Sequence, residues 1–166
     1  MKTLLMMAFV AFISTSCDAQ NSRKSPHETV SSDNISVTYG RPYAKGRDVF
    51  GGLEKFGKVW RVGADEATEI TFKKDAVFGG TAVKAGTYTL FAIPEEKEWT
   101  LILNSELKQW GAYNYEKIKD KNVATLKAPT GKTIEKVEQL TITPTDDGLV
   151  IAWDDTIVDV PFSLKK

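Results

Sequence analysis

Apolar and polar residues alternate in several short stretches of the chain, with the period of two that is typical of half-buried β-strands. The clearest stretch is residues 35–39, which are rich in β-branched side chains and are followed by Gly40 and Pro42. Residues 59–62 and 69–72 are shorter stretches of the same kind. The pattern predicts a β-strand at each of these three places.

Three further pairs of strand-like stretches flank short turns and predict β-hairpins. The turns are Gly79-Gly80 in the first hairpin, the charged residues 95–98 in the second and a segment that ends in Asp147-Gly148 in the third. The strands that they join are residues 77–78 and 81–83, residues 87–93 and 99–103, and residues 137–143 and 149–153.

Helical signals are almost absent from the rest of the chain. Only residues 105–120 could hold a helix, and Gly111 in their middle keeps that helix short. A last strand is predicted at residues 156–162, and the connections are too short for the crossover helices of a parallel sheet. We therefore expect an all-β fold, a single antiparallel β-sandwich or jelly-roll-like domain of about 9–10 short strands with at most one short helix.

The N-terminal residues have the layout of a secretory signal. Lys2 supplies a positive charge, and residues 4–13 form an apolar run shorter than the roughly 20 residues that cross a bilayer. Small residues then lead to Cys17, the only cysteine, in a pattern that resembles a lipobox. This predicts a signal peptide of residues 1–16 and a lipid on Cys17, with cleavage after residue 19 as the alternative.

The polar residues 17–30 lack an apolar period and predict a flexible spacer, which leaves residues 31–166 for the β-sandwich domain. We therefore expect an exported lipoprotein of a Gram-negative envelope, periplasmic or anchored to the outer membrane, whose N-terminal lipid is its only membrane contact. Cleavage after residue 19 instead gives a soluble periplasmic or secreted protein.

Composition excludes several classes of function. The 22 basic and 22 acidic residues balance, so the chain lacks the basic excess of a nucleic-acid-binding protein. His27 is the only histidine and falls in the predicted spacer, which argues against Ser-His-Asp or Cys-His catalysis and against a zinc site in the domain. No glycine-rich phosphate-binding loop is present. We expect no metal, no cofactor and no nucleic-acid partner, and we favour a binding protein over an enzyme.

Cations and aromatic side chains occur together between residues 39 and 72. Arginine captures carboxylate and phosphate groups through paired hydrogen bonds, and an aromatic ring can stack on a sugar. The segment predicts a non-catalytic site for a small anionic or carbohydrate ligand. Its predicted binding residues are Arg41, Lys45, Arg47, Trp60 and Arg61.

A structural role is the alternative for the same arginines, which can pin a long loop by bonding backbone carbonyls and by pairing with Asp48, Asp65 or Glu66. The aromatic residues Trp110 and Tyr113 have the same two interpretations, because they can form a stacking platform or pack against the core.

An enzyme remains an alternative, because tuned carboxylates can transfer protons without a histidine. Asp65 and Glu66 are the candidate catalytic residues, in a histidine-free hydrolase or lyase that acts on a sugar or an anionic polymer. A purely structural envelope protein is the second alternative.

Several motifs occur in a fixed order along nearly the whole predicted mature chain. They include Ser25-Pro26, residues 39–42 (YGRP), 45–47 (KGR), 50–53 (FGGL), 57–64 (GKVWRVGA), 85–88 (AGTY) and 110–113 (WGAY). In this order and spacing the sequence resembles the family of exported bacterial proteins known as domain of unknown function 2911. The resemblance implies an exported single domain and carries no catalytic role over to any residue. Family members typically have Asn where this chain has Asp65, so a role that needs an amide there is not implied.

Overall fold

A computed structural model of the chain describes residues 25–165. The predicted signal peptide, both cleavage positions, Cys17 and the first part of the predicted spacer lie outside the described residues. Within residues 25–165, no helix has the length and apolar character needed to cross a membrane. The strands are β1 (His27–Ser31), β2 (Ile35–Gly40), β3 (Glu69–Phe72), β4 (Ala76–Phe78), β5 (Thr81–Val83), β6 (Gly86–Ile93), β7 (Glu98–Asn104), β8 (Asn122–Pro144) and β9 (Gly148–Leu164). The helix α1 (Tyr115–Ile118) continues into a 3₁₀ turn (Lys119–Lys121).

The described strands form one antiparallel sheet in the order β1-β2-β3-β6-β7-β8-β9-β4-β5. Phe72 in β3 and Phe162 in β9 have ring centroids 5.3 Å apart, although three strands separate β3 from β9 in the sheet order. The sheet therefore folds over on itself, sandwich-like, and the prediction of an antiparallel all-β fold is confirmed.

The two longest strands connect the two layers. β8 pairs with β7 up to Pro129 and with β9 from Thr130 onward. β9 pairs with β8 through most of its length, and its last residues, from Phe162, pair with the short β4. Because β4 precedes β9 by about half the chain, this pairing ties the middle of the sequence to its C-terminal end.

Side chains of the central strands alternate between two apolar clusters, as the pleat of a strand requires. Leu90 and Ala92 in β6 belong to the main core, whereas Phe91 between them faces a smaller cluster on the other side of the sheet. Ala67, Ile102 in β7 and Tyr115 in α1 complete that smaller cluster. The helix therefore covers the outer face of the sheet.

The long connection between β2 and β3, residues 41–68, is anchored in the main core through aromatic rings. Phe50 lies 4.7 Å from Trp99, and Trp60 stacks on Trp153 at 6.0 Å, as measured between ring centroids. Burying these large rings stabilises the connection by the hydrophobic effect and by ring-ring contacts. The connection is therefore an ordered loop that can carry a site.

Two predictions are wrong in the N-terminal half of the domain, the end of the flexible spacer and the strand at residues 59–62. Residues 27–30 belong to β1 and not to a spacer; this strand is mostly polar because it is held at the edge of the sheet by backbone pairing with β2. Residues 59–62 form no strand, since only Trp60 makes an isolated bridge, to Ala92, and Val62 has a φ of 56° that interrupts the extended backbone.

The C-terminal half contains two continuous strands where the sequence predicted shorter ones. The pattern missed the beginning of β8, because residues 122–136 place many polar side chains on an exposed face. β9 also runs through Asp154 and Asp155, which the sequence pattern left as a break. Asp154 has a φ of 52°, and the register shifts beside it, so the break is a local irregularity within one strand.

Candidate functional site

The short segment of residues 61–66, called the 61–66 loop below, separates two clefts at one end of the sandwich. Buried Thr68 fixes the beginning of the loop, because its backbone N–H donates to the Arg61 carbonyl at 3.0 Å and its hydroxyl donates to the Val62 carbonyl at 2.8 Å. The Arg61 Nε also donates to the Gly63 carbonyl at 3.0 Å. One backbone bond and two side-chain bonds therefore hold the first half of the loop in a single conformation.

Two residues of the 61–66 loop have left-handed backbone conformations that side chains disfavour. Val62 has a φ of 56° and Asp65 has a φ of 62°. Such a conformation costs about 1–3 kcal/mol for a residue other than glycine, and a β-branched residue such as valine is especially rare there. Strain of this kind collects at functional sites, so the loop itself is a candidate for function.

Gly40, the last residue of β2, allows the 61–66 loop to approach the sheet. A Cβ atom at this position would lie 2.3 Å from the Ala64 carbonyl oxygen and 3.0 Å from the His27 Nε2. The Ala64 N–H donates to the Gly40 carbonyl at 3.3 Å across the same contact. Glycine is therefore required at position 40 for both the loop and His27 to take their places.

The first cleft, called the histidine cleft below, lies between the 61–66 loop, the edge of the sheet and the segment before α1. Its volume is about 520 Å³, within the range of small-molecule sites. Its lining residues are His27, Thr38, Tyr39, Glu66, Ala67, Glu69, Lys108 and Trp110.

His27 is a candidate functional side chain that the sequence pattern assigned to the spacer. It begins β1, where it pairs with Gly40, and its Nε2 lies 3.5 Å from the Asp65 Oδ2 and 3.3 Å from the Glu66 Oε2. The prediction of a domain without histidine is therefore wrong, because a polar edge strand carries His27 onto the sheet. Asp65 and Glu66, the predicted acid–base candidates, both face an imidazole.

The other side of the histidine cleft combines an exposed ring with carboxylates. Glu69 accepts a hydrogen bond from the Lys108 backbone N–H at 2.9 Å through its Oε1. Trp110 is 57% exposed. The cleft therefore offers both a flat apolar surface and charged groups. Tyr39 forms part of its floor, and burial raises the pKa of this phenol.

The second cleft, called the arginine cleft below, lies on the other side of the 61–66 loop and has a volume of about 320 Å³. Arg47 is held in its wall by two bonds to backbone carbonyls, from Nε to Ala44 at 2.8 Å and from Nη2 to Tyr43 at 2.7 Å. The lining residues are Ser25, Pro42, Tyr43, Lys45, Arg47, Leu53, Glu54, Arg61, Gly63, Ala64, Asp65 and Trp153.

Glu54 has an unusual environment in the arginine cleft. Burial raises the pKa of its carboxyl group, and the nearby Arg61 and Arg47 guanidinium groups lower that pKa only in part. Desolvation therefore outweighs the attraction of two cations at this position. The charge of the cleft changes as Glu54 takes up a proton.

The structure brings together three of the five predicted binding residues, since Lys45, Arg47 and Arg61 all line the arginine cleft. Arg41 lies elsewhere, with its Nε bonded to the Leu140 carbonyl at 3.0 Å and its Nη1 paired with Glu28 at 2.9 Å. Trp60 is 3% exposed and packs in the aromatic core, so its ring has no free face for a ligand.

A third cleft is larger, about 660 Å³, and its lining includes Asp154 and Asp155, which both pair with lysines. Lys132 bonds Asp155 at 2.6 Å, and Lys136 pairs with the buried Asp154 at 2.8 Å. Across residues 25–165, no group of three or more His, Cys, Asp or Glu side chains is arranged to hold a metal ion. The two clefts beside the 61–66 loop hold His27 and three of the predicted binding residues, and they are therefore the candidate sites.

Comparison with known proteins gives a family and no activity. The sequence model of a family described as "Protein of unknown function (DUF2911)" matches residues 21–162, which confirms the resemblance carried by the motifs. No curated protein and no solved structure matches the chain.

Proposed function

The chain belongs to the DUF2911 family of proteins of unknown function, whose description assigns no activity, and we propose that it is a binding protein for a small anionic ligand held in the arginine cleft. The ligand class is an oxyanion, a carboxylate or phosphate group such as an acidic sugar carries. The observation that supports the proposal is the convergence of Lys45, Arg47 and Arg61 on one cleft.

The two arginines are oriented before a ligand arrives. Among the described residues, Arg47 bonds carbonyls through Nε and Nη2, and its Nη1 remains for a ligand. Within residues 25–165, the side-chain hydrogen bonds of Arg61 use Nε alone, so both of its Nη groups can donate. A guanidinium fixed in this way loses little freedom on binding, and it matches the planar geometry of an oxyanion.

The charge of the arginine cleft favours an anion. Three cations, Lys45, Arg47 and Arg61, face two carboxylates, Glu54 and Asp65. Protonation of Glu54, favoured by burial, adds to the positive excess. A charge-assisted hydrogen bond contributes about 1.5–3 kcal/mol, so two arginines are sufficient to hold a small ligand.

Titration calorimetry of the purified mature protein with inorganic phosphate, sulfate, citrate and glucuronate tests the proposal. We expect one or more of these anions to bind, and Arg61→Gln to weaken that binding by about tenfold or more, since a charged hydrogen bond is lost. Arg41→Gln is the matched control, because Arg41 lies outside both clefts and its substitution leaves the affinity unchanged. Absence of binding for the whole panel, or equal affinity in Arg61→Gln, contradicts the proposal.

We also propose that the protein is an exported lipoprotein anchored through Cys17, which the layout of residues 1–16 supports. Labelling of growing cells with a palmitate analogue tests this location. We expect label on the wild-type protein in the membrane fraction, and neither label nor membrane association for Cys17→Ala. A soluble, unlabelled wild-type protein indicates cleavage after residue 19 instead.

A hydrolase or lyase is a second candidate, and the position of His27 between Asp65 and Glu66 favours it. An imidazole beside carboxylates can transfer protons, and the sugar-polymer alternative thus gains a histidine. Incubation with neutral and acidic polysaccharides, followed by detection of reducing ends or unsaturated products, tests it. Activity that Glu66→Gln and His27→Gln abolish supports an enzyme, and absence of products supports binding alone.

A further inference from the structure

The four tryptophans of the chain differ sharply in their surroundings. Trp60, Trp99 and Trp153 are at most 3% exposed and pack together in the main core, whereas Trp110 is 57% exposed and lines the histidine cleft. Tryptophan has a large apolar surface that gains from burial, so an exposed ring in a concave wall indicates a surface for stacking.

The Trp110 ring is held on a rigid backbone. The segment before α1 runs antiparallel to the end of the 61–66 loop, with Glu66 opposite Trp110. The Gly111 N–H donates to the Asp65 carbonyl at 3.0 Å, and the Ala67 N–H donates to the Gln109 carbonyl at 2.8 Å. Trp110 therefore has a fixed position relative to the Glu66 side of the cleft, which reduces the entropy lost on binding.

The remaining lining of the histidine cleft is polar and rich in acceptors. Glu66 and Glu69 provide carboxylate oxygens, Thr38 provides a hydroxyl, and Lys108 provides one ammonium group. A sugar ring has an apolar face of C–H groups and a rim of hydroxyls that donate hydrogen bonds, so it complements a flat ring beside carboxylates.

We propose that the histidine cleft binds a neutral sugar ring, stacked on Trp110 with its hydroxyls on Glu66 and Glu69. The excess of carboxylate over ammonium groups in the cleft disfavours an anion, in contrast to the arginine cleft. The volume of about 520 Å³ accommodates a small oligosaccharide unit. The site is independent of the anion site and requires no chemical step.

His27 has a positioning role in this site. Its Nε2 lies within 3.5 Å of Asp65 and Glu66 carboxylate oxygens, so the imidazole fixes the side of the cleft that faces Trp110. His27→Gln keeps a hydrogen-bonding side chain of similar length but removes the ring. We expect this variant to weaken sugar binding less than loss of Trp110 does.

Fluorescence and calorimetry of the purified mature protein, titrated with cellobiose, maltose, lactose and diacetylchitobiose, test the proposal. We expect at least one disaccharide to bind saturably, to shift the emission to shorter wavelength and to protect one tryptophan from acrylamide quenching. Trp110→Ala lowers the affinity by about tenfold, measured by calorimetry, because a stacking contact of about 1.4 kcal/mol is lost.

Two control variants show whether the loss of affinity is specific to the Trp110 ring and to the histidine cleft. Tyr113→Ala removes a ring in the same segment that is 79% exposed and lies outside the cleft lining, so sugar affinity stays unchanged. Arg47→Gln also leaves sugar affinity unchanged, because Arg47 lies outside both the 61–66 loop and the lining of the histidine cleft. Because this variant weakens anion binding alone, it distinguishes failure of the sugar site from failure of the anion site.

Three outcomes overturn the proposal. The first is absence of binding for every disaccharide, and the second is wild-type sugar affinity in Trp110→Ala. The third is selective binding of tetramethylammonium in place of sugars, because the same ring and carboxylates then form a site for an organic cation.

Discussion

The arginine cleft and the histidine cleft lie on opposite sides of one loop and have opposite charge. In the arginine cleft, Arg47 and Arg61 are fixed on backbone carbonyls and present cations. In the histidine cleft, carboxylates surround His27 and an indole forms the facing wall. The comparison shows that one strained segment, residues 61–66, can orient side chains into two different chemical environments.

Asp65 is the residue that the two clefts share. It lines the arginine cleft, and its Oδ2 lies 3.5 Å from the His27 Nε2. Its left-handed φ of 62° turns the chain at the point where the two clefts meet. Changes to the loop should therefore affect both clefts, whereas changes to one wall should affect a single cleft.

Gly40→Ala should have the largest effect, because it removes the contact that both clefts require. The new Cβ would collide with the Ala64 carbonyl, so we expect a loss of about 3 kcal/mol in the free energy of unfolding. Urea unfolding measures this loss. Gly46→Ala is the control: Gly46 has a φ of 68° with open space around it, and strain alone costs about 1–2 kcal/mol. Equal losses of unfolding free energy in the two variants would show that the structure shifts enough to relieve the collision at position 40.

Thr68→Val should have the next largest effect on stability. It removes the hydroxyl that bonds the Val62 carbonyl in the interior, and a buried carbonyl left without a partner costs about 1–3 kcal/mol. Thr71→Val is the control, since the Thr71 hydroxyl bonds the Thr87 hydroxyl where both side chains are only half-buried, and its loss costs less, about 1 kcal/mol. Thermal unfolding compares the two, and a smaller loss for Thr68→Val would mean that the loop does not depend on this bond.

Glu54→Gln should change the charge of the arginine cleft alone, and its effect on the free energy of unfolding should depend on pH. Burial raises the pKa of Glu54, so the folded protein binds this proton more tightly than the unfolded chain does. Ionised Glu54 therefore destabilises the fold as the pH rises through that raised pKa. We expect Glu54→Gln to be more stable than wild type at pH 7, with a difference that disappears below the ordinary pKa of a glutamate.

Anion affinity should follow the same titration. In the wild-type protein, sulfate binding should strengthen as the pH falls and Glu54 becomes neutral, because sulfate keeps its own charge over this range. In Glu54→Gln, the affinity at pH 7 should be higher and should depend less on pH. Calorimetry with sulfate at several pH values measures both trends, and an unchanged pH profile in the variant would contradict this role for Glu54.

Asp65→Asn should give the smallest effect and should sharpen the comparison between the clefts. Asparagine tolerates the left-handed backbone, so the loop is retained while one negative charge is lost. We expect the affinity of the arginine cleft for anions to rise by roughly two- to fivefold, with a smaller change in disaccharide affinity through the contact of Asp65 with His27. A loss of anion binding would mean that Asp65 orders the loop through its charge.

The sequence predicted those parts of the fold that depend on neighbouring residues. The hairpin of β4 and β5 follows from Gly79-Gly80, and the hairpin of β6 and β7 follows from two alternating stretches around a charged turn. β1 could not be predicted in the same way, because its partly polar side chains carry no period and its place is decided by pairing with β2.

In the candidate sites, too, contacts between residues close in sequence could be predicted, and contacts between distant residues could not. Lys45, Arg47 and Arg61 are close in sequence, so their meeting in one cleft could be anticipated. His27 meets Asp65 because β1 pairs with the neighbouring β2 and the 61–66 loop packs against Gly40. The second of these contacts is distant in sequence, and no local pattern contains it. Trp60 was predicted as a binding residue but stacks on Trp153 in the core. A tryptophan suits an aromatic core as well as it suits stacking on a ligand, so its residue type alone does not distinguish the two roles.

The pairing of β4 with the end of β9 has a consequence for the order of folding. Ala76 pairs with Leu164, so one layer of the sheet cannot close until residue 164 has been synthesised. Pairing residues that are far apart in the sequence costs loop-closure entropy before the new contacts stabilise the fold, and β-proteins with many such contacts fold in about milliseconds to seconds. The growing polypeptide therefore carries β4 without its partner strand while the roughly 85 residues that follow are synthesised.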